Sequence, residues 1–262
     1  MAIQTIRKVI LIGAGKLATN IGIALKNNGY SIIQVYNRTP APGLQLAQTL
    51  SSEFIDDLPL LSNEADLYCI AVSDSAVEQV AKKIRLKDQL VIHFSGTLGI
   101  GILDSCTSNY GVIYPPQTFT KQSFIDFRDL PLCIEANNLD NQQKLIVFAG
   151  TLSSNVLPVT FIQRKTLHLA SVLAGNFPNF LYSIAENLLK DHNLPLELIV
   201  PLIEKTASNA REGNIFDRQT GPAIREDHEV INIHLDLLSK SPGYREIYRM
   251  MTESIIQQKN KK

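Results

Sequence analysis

The run Lys8-Val9-Ile10-Leu11-Ile12-Gly13-Ala14-Gly15-Lys16-Leu17-Ala18 carries two signals at once. Lys8 to Ile12 is almost continuously apolar, as expected of a strand buried on both faces of a parallel sheet. Gly13 to Ala18 fits G-x-G-x-x-[GA], directly after that strand and at the start of a helical pattern over Leu17 to Asn28 that Gly29 ends. Gly13 permits the tight turn, Gly15 lets a pyrophosphate approach the backbone, and Ala18 is small enough for helix and strand to pack. The helix N-terminus offers unpaired N–H groups and the positive end of its dipole. Gly13, Ala14, Gly15, Lys16 and Leu17 are therefore expected to bind the phosphates of a dinucleotide.

The chain around this run alternates strands and helices, the mark of βαβ units. Strands are expected at Ser31–Tyr36, Glu53–Ile55, Asp66–Val72, Gln89–Phe94, Gly111–Tyr114, Leu132–Ala136 and Val156–Thr160. Helices are expected at Leu44–Leu50, Ser75–Ile84 and Gln142–Thr151. From Arg164 onward the strand runs stop. A long helical stretch, Arg164–Asp191, contains Pro178, which removes a donor, frees the carbonyl of Ala174 and predicts a kink. Further helices are expected over Pro195–Ala210, Asp227–Lys240 and from Ser241-Pro242 to about Gln257, with Ser241 as N-cap. The fold class expected is α/β: a Rossmann doubly wound parallel sheet over residues 1–160, then an all-α domain over 161–262.

With 262 residues, 45% apolar and 19% charged, the chain is an ordinary globular protein and not a disordered or fibrous one. Lys plus Arg number 25 and Asp plus Glu 25, so no basic excess favours a nucleic-acid partner. The N-terminal apolar run is too short for a membrane span or a signal peptide. Cys69, Cys106 and Cys133 are odd in number and widely spaced, which suggests reduced thiols in a cytoplasmic protein and no metal site.

An acidic residue at the end of the second strand would select NAD through the ribose 2′-hydroxyl. This chain has Asn37-Arg38-Thr39 there. Arg38 can pair with a 2′-phosphate, and Asn37 and Thr39 can donate hydrogen bonds to it, so the cofactor expected is NADP. Val72 and Ser73 end the fourth strand, and His93-Phe94-Ser95-Gly96 end the fifth, where ligands of such sheets bind. Ser95 is either a hydrogen-bonding residue for substrate or carboxamide, or a serine in a Ser-Gly turn. His93 lies inside the strand and reads as core.

In the helical half, His168, Ser171, Val172, Gly175, Asn176 and Asn179 fall along one broad face. Polar groups on an apolar helix are costly to bury unless paired, so a ligand cleft or an internal network is implied. His168 is either a general acid for hydride chemistry on a carbonyl or imine, or a structural histidine. Arg225 either clamps a substrate anion or pairs with Asp227, which would cap the next helix.

These motifs together resemble a branch of Rossmann-like NADP oxidoreductases related to pyrroline-5-carboxylate reductase, 6-phosphogluconate dehydrogenase and deazaflavin-dependent NADP oxidoreductase. The resemblance rests on GAGKLA, the Asn37-Arg38-Thr39 turn, His93-Phe94-Ser95-Gly96, Pro115-Pro116-Gln117-Thr118-Phe119, His168-Leu169-Ala170 with Asn176-Phe177, and Thr220-Gly221-Pro222 with Arg225, Asp227, His234 and Leu235. It spans nearly the whole chain. It implies a helical domain like the C-terminal one of 6-phosphogluconate dehydrogenase, and a homodimer formed through that domain. One departure stands out. The β-hydroxyacid dehydrogenase members carry a lysine four residues before the asparagine that Asn176 matches, and here that position is Val172. His168, one turn earlier, is the available replacement.

The sequence thus leads to an NADP-dependent oxidoreductase acting on a small carbonyl, imine or hydroxy-acid substrate in the cleft between its domains. His168, Asn176, Ser95 and Arg225 are the candidate catalytic residues. The alternative is a protein that binds or senses NADP without turnover.

Overall fold

The computed structural model describes residues 6–120 and 125–261. Contacts divide the chain into two compact units, one ending at Asn176 and one beginning at Phe177. The sequence reading opens the helical domain at residue 161, so the helical segment 161–176 lies on the first-unit side of the contact division.

The first unit contains β1 (Lys8–Ile12), α1 (Lys16–Asn27), β2 (Ser31–Tyr36), α2 (Pro40–Leu50), β3 (Glu53–Ile55), β4 (Leu67–Ile70), α3 (Asp74–Lys83), β5 (Leu90–His93), β6 (Asn109–Tyr114), β7 (Leu132–Ala136), α4 (Leu139–Gly150), β8 (Val156–Pro158) and α5 (Phe161–Ser171). The strands form one sheet in the order β3-β2-β1-β4-β5-β6-β7-β8. β1 pairs in parallel with both β2 and β4, so the strand order reverses beside the Gly13 turn. That reversal opens the crevice in which doubly wound sheets bind ligands.

The alternation in β1 explains its unbroken apolarity. Val9 and Leu11 enter a core with Ile21 and Leu25 of α1 and Leu46 of α2. Ile10 and Ile12 enter a second core with Val77 and Val80 of α3. Successive side chains of a strand point to opposite faces, so a strand covered on both sides must be apolar throughout.

The structure corrects several expectations. β7 runs antiparallel to β6, and β8 is parallel to β7, so the last two strands oppose the other six. α2 begins at Pro40 rather than Leu44, because Pro40 and Pro42 both fall in the first turn, where N–H groups have no helical partner anyway. α4 starts three residues early, at Leu139, because Asn138 caps it by accepting from the Asn141 amide.

α5 is opened by a reciprocal capping box between Thr160 and Gln163. It ends in a π-helical turn, Val172–Asn176. The irregularity predicted from Pro178 takes this form, one widened turn upstream of the proline.

The second unit holds α6 (Phe177–Asp191), α7 (Val200–Asn209), α8 (Pro222–Arg225), α9 (His228–Leu237) and α10 (Pro242–Lys259). The helix expected over Pro195–Ala210 is divided into a 3-10 turn, Leu196–Leu198, and α7. Pro201 lacks an N–H and would clash with the carbonyl four residues back, so the α-helix restarts with Pro201 in its first turn. Asp227 caps α9 by accepting from the Val230 amide. Ser241 occupies the N-cap position of α10, but its side chain makes no capping bond. Among the described residues no helix is long and apolar enough to cross a membrane.

Candidate active site and cofactor cleft

At the carboxyl ends of β1, β2 and β4 lies a cleft of about 500 Å³. Its lining includes every residue expected to hold the cofactor: Gly13, Ala14, Gly15, Lys16, Leu17, Asn37, Arg38, Thr39, Val72 and Ser73. It also includes Gln79 and Lys83 of α3, which the sequence did not single out. Their spacing puts them on one helical turn facing the cleft, a placement that only the packing of α3 reveals.

The two glycines of the turn have different tasks. Gly13 has φ +119°, and a Cβ there would stand 2.4 Å from the carbonyl oxygen of Ala71. Only glycine allows β1 to turn this close to the end of β4. Gly15 has an ordinary φ of −76°, and nothing lies within 4 Å of where its Cβ would be. It faces open cleft at the N-terminus of α1, which carries no side-chain cap.

Asn37 Oδ1 accepts from the Ala14 amide at 3.1 Å, and Asn37 Nδ2 donates to the Thr39 carbonyl at 2.7 Å. Asn37 therefore braces the glycine turn from β2, in addition to lining the cleft. Arg38 is exposed and makes no hydrogen bond or ion pair with a described residue. These features fit a dinucleotide with a 2′-phosphate: free helix-terminal amides beside an open glycine, and an unengaged guanidinium beyond the second strand.

A second pocket, of about 270 Å³, is lined by Tyr114, Gln117, Thr118, His168, Ser171 and Asn176, among others. His168 and Asn176 are thus brought together as expected. The His168 ring lies against Gly96, where a Cβ would come within 2.7 Å of Cγ and Nδ1. Gly96 is therefore the residue that lets α5 approach the end of β5. Tyr114, at the end of β6, places its hydroxyl 3.2 Å from His168 Nδ1. The sequence shows Tyr114 only as the last residue of an apolar strand.

Ser95 is not free to address a substrate. Its hydroxyl donates to Asp74 Oδ2 at 2.6 Å and accepts from the amides of Thr97 and Leu98, each at 3.0 Å. One donor and two acceptor sites are all a serine has. It organises the turn after β5, and Thr97 Oγ1 adds a second bond to Asp74 at 2.8 Å.

Arg164, missed in the sequence, is completely buried. Its Nη1 donates to the Ser95 carbonyl at 2.6 Å, and its Nε and Nη2 donate to Glu135 Oε2 at 3.2 and 2.9 Å. This pins the helix that carries His168 to β5 and β7.

His93 is buried in β5, as read from the sequence. Its Nδ1 accepts from the Ser95 amide at 3.1 Å, and among the described residues its Nε2 has no partner. Burial first, then the nearby Arg164 charge, pushes its pKa down to about 4 against the opposing Asp74 carboxylate, so the ring is neutral. Arg225 sits in the second unit, exposed, and lines neither pocket. Asp227 caps α9, and no described bond joins it to Arg225. Among the described residues no three His, Cys, Asp or Glu side chains gather as a metal site.

BF3122 of Bacteroides fragilis, described as a candidate NADP oxidoreductase, matches this arrangement over 98% of the chain and 100% of its own, at 38% identity and a TM-score of 0.92. The chain belongs to the BF3122 family. Residues 2–115 match the family model described as a Rossmann-like domain, and residues 130–255 match a domain of unknown function, DUF2520.

Protein TM1727 of Thermotoga maritima matches 94% of the chain and 98% of its own, at 22% identity and a TM-score of 0.76. An imine reductase of Myxococcus stipitatus, solved with NADP+, matches 97% and 93%, at 17% identity and a TM-score of 0.63. At those identities the likeness is one of fold. No curated protein matches the chain by sequence. Val172, which the resemblance to the dehydrogenases sets at the position of their lysine, lines the His168 pocket.

Proposed function

We propose that the chain is an NADP-dependent oxidoreductase that transfers a hydride to or from a small carbonyl, imine or hydroxy-acid compound. The carrying observation is that all ten residues expected from the sequence line one cleft, with Gly15 open to it and Arg38 unengaged. Membership of the BF3122 family and the fold shared with an NADP+-bound imine reductase support the reading. The amides of Gly15, Lys16 and Leu17 would hold the pyrophosphate, Arg38 and Thr39 the 2′-phosphate, and Val72 and Ser73 the nicotinamide half. Bound NADPH supplies the hydride. His168 gives a proton to the substrate oxygen or nitrogen, and Gln117, Thr118 and Asn176 orient the substrate by hydrogen bonds.

Residues 161–262 then serve as the substrate and dimerisation domain. The second unit exposes Phe177, Phe180, Leu198, Leu202, Ile215 and Leu237, up to 70% in the case of Leu237, and that supports a homodimer formed there. Sedimentation at micromolar concentration should give a mass near twice 29.1 kDa; a monomer would remove the dimer reading. Three buried free cysteines suit a reducing, cytoplasmic setting.

The test of function is a fluorescence titration with NADPH and NADH. NADPH is expected to bind more tightly. Arg38→Ala should weaken NADPH by about ten- to a hundredfold, the worth of a charge-assisted hydrogen bond of about 1.5–3 kcal/mol, and leave NADH unchanged. Absence of binding by either nucleotide would overturn the reading. Val172 in the lysine position favours the second reading, a nucleotide sensor without turnover. A screen of imines and carbonyls with NADPH separates the two, since only the enzyme oxidises the nucleotide, and His168→Ala should abolish that.

A further inference from the structure

At the amino ends of β4, β5 and β6, opposite the strand ends that form the cofactor cleft, lies a separate cavity of about 320 Å³. Asp66 directly precedes β4, Lys87 and Asp88 precede β5, Asn109 opens β6, and Asn141 and Lys144 stand on α4. Val72 and Ser73 of the cofactor cleft follow the other end of β4. A parallel strand rises about 3.3 Å per residue, so β4 keeps the two sites about 13 Å apart. We propose that this cavity is a second binding site, for a free α-amino acid.

The hydrogen bonding of Asn141 points to a ligand. Asn141 is 1% exposed. Its Nδ2 donates to Asn109 Oδ1 and to Asn137 Oδ1, each at 2.9 Å. Both partners are held by backbone groups that bond in one sense only. The Tyr110 amide donates to Asn137 Oδ1 at 3.3 Å, and Asn109 Nδ2 donates to the Asp88 carbonyl at 2.8 Å. Two oxygens therefore face Asn141, and its side-chain amide cannot be turned round. Both Nδ2 protons are used. Oδ1 makes no bond with a described residue, and it is not sealed off as His93 Nε2 is. It is an acceptor on the wall of the cavity, and a nearly buried acceptor is costly to leave without a donor.

The charges on the same wall say what kind of donor fits. The Lys87 and Lys144 ammonium groups make no bond with a described residue. Asp66 Oδ2 accepts from the amides of Arg7 and Lys8 at 2.8 and 2.9 Å, and its Oδ1 makes no bond with a described residue. Asp88 Oδ1 has only a long hydrogen bond from Ser108 Oγ, at 3.4 Å. Both signs of charge thus line one cavity without pairing with each other. A simple anion would be repelled by Asp66 and Asp88, and a simple cation by Lys87 and Lys144. A ligand with one charge of each sign suits both pairs. Its ammonium donates to Asn141 Oδ1 and to the aspartates, and its carboxylate accepts from the lysines in charge-assisted bonds. Ile6, Ala65 and Leu90, which complete this side of the lining, offer apolar surface to its carbon skeleton.

Saturation-transfer NMR on the intact chain tests this, with the common α-amino acids as probes, without and with NADPH. At least one is expected to bind with a Kd of about 1 mM or tighter, and equally well when NADPH is present, because the cofactor cleft lies at the other strand ends. The N-acetyl derivative and the amide of that amino acid each lack one charge and should bind at least about tenfold more weakly. Replacing Asn141 would break the bonds to Asn109 and Asn137 and endanger the fold, so the lysines carry the mutational arm. Lys87→Met combined with Lys144→Met should weaken the amino acid by about tenfold or more, with melting temperature and NADPH affinity unchanged. Absence of binding by every amino acid would overturn the proposal. So would equal binding of the derivatives, of inorganic phosphate or of ethylamine, or binding that ignores the double lysine replacement. Failure of NADPH to bind would sink the functional reading above and leave this result intact.

Discussion

Replacing Arg164 with alanine is expected to lower stability by about 3–5 kcal/mol, the usual cost of breaking a buried ion pair from one side. Arg164 is fully buried, and its partner Glu135 is only 16% exposed. Without the guanidinium, the Glu135 carboxylate loses both donors and the Ser95 carbonyl loses its bond. The damage is directional as well, because these bonds join α5 to the ends of β5 and β7. Arg164→Lys should rescue little, since an ammonium cannot serve a carboxylate and a carbonyl through one planar fork. Urea denaturation would measure the loss. A change below about 1 kcal/mol would mean that the pair is screened by water and does not anchor the helix.

Gly13→Ala and Gly15→Val are expected to separate folding from binding within a single turn. The first should cost several kcal/mol of stability, from a positive φ worth about 1–3 kcal/mol and from overpacking worth about 1–3 kcal/mol against the Ala71 carbonyl. The second meets no atom within 4 Å and an ordinary φ, so its melting temperature should match the wild type. Its branched side chain would occupy the space assigned to the pyrophosphate, and NADPH affinity should fall by about ten- to a hundredfold. Unchanged NADPH affinity in Gly15→Val, with the fold intact, would place the phosphates elsewhere.

The cleft was legible in the sequence because its parts are local. A buried strand, two glycines and a helix start lie within eleven residues, and the Asn37-Arg38-Thr39 turn follows at the end of the next strand. The His168 pocket was legible only in part. His168 and Asn176 stand on one stretch of helix, whose periodicity can be read directly. Ser95 looked available because a sequence does not show that Asp74 and two backbone amides saturate its hydroxyl. The antiparallel turn of β7 was likewise hidden, since an apolar strand reads the same in either direction.

Alternating burial, the helix starts and the glycine turn are properties of neighbouring residues, which backbone hydrogen bonding and side-chain period dictate within a few positions. From them the chain alone specified a Rossmann-type unit, a helical continuation and a dinucleotide cradle. Tyr114 and His168 are 54 residues apart, and Arg164 and Ser95 are 69. Pairings at such separations depend on strand order and on how closely a helix can approach a glycine, so folding of the whole sheet had to bring those partners together.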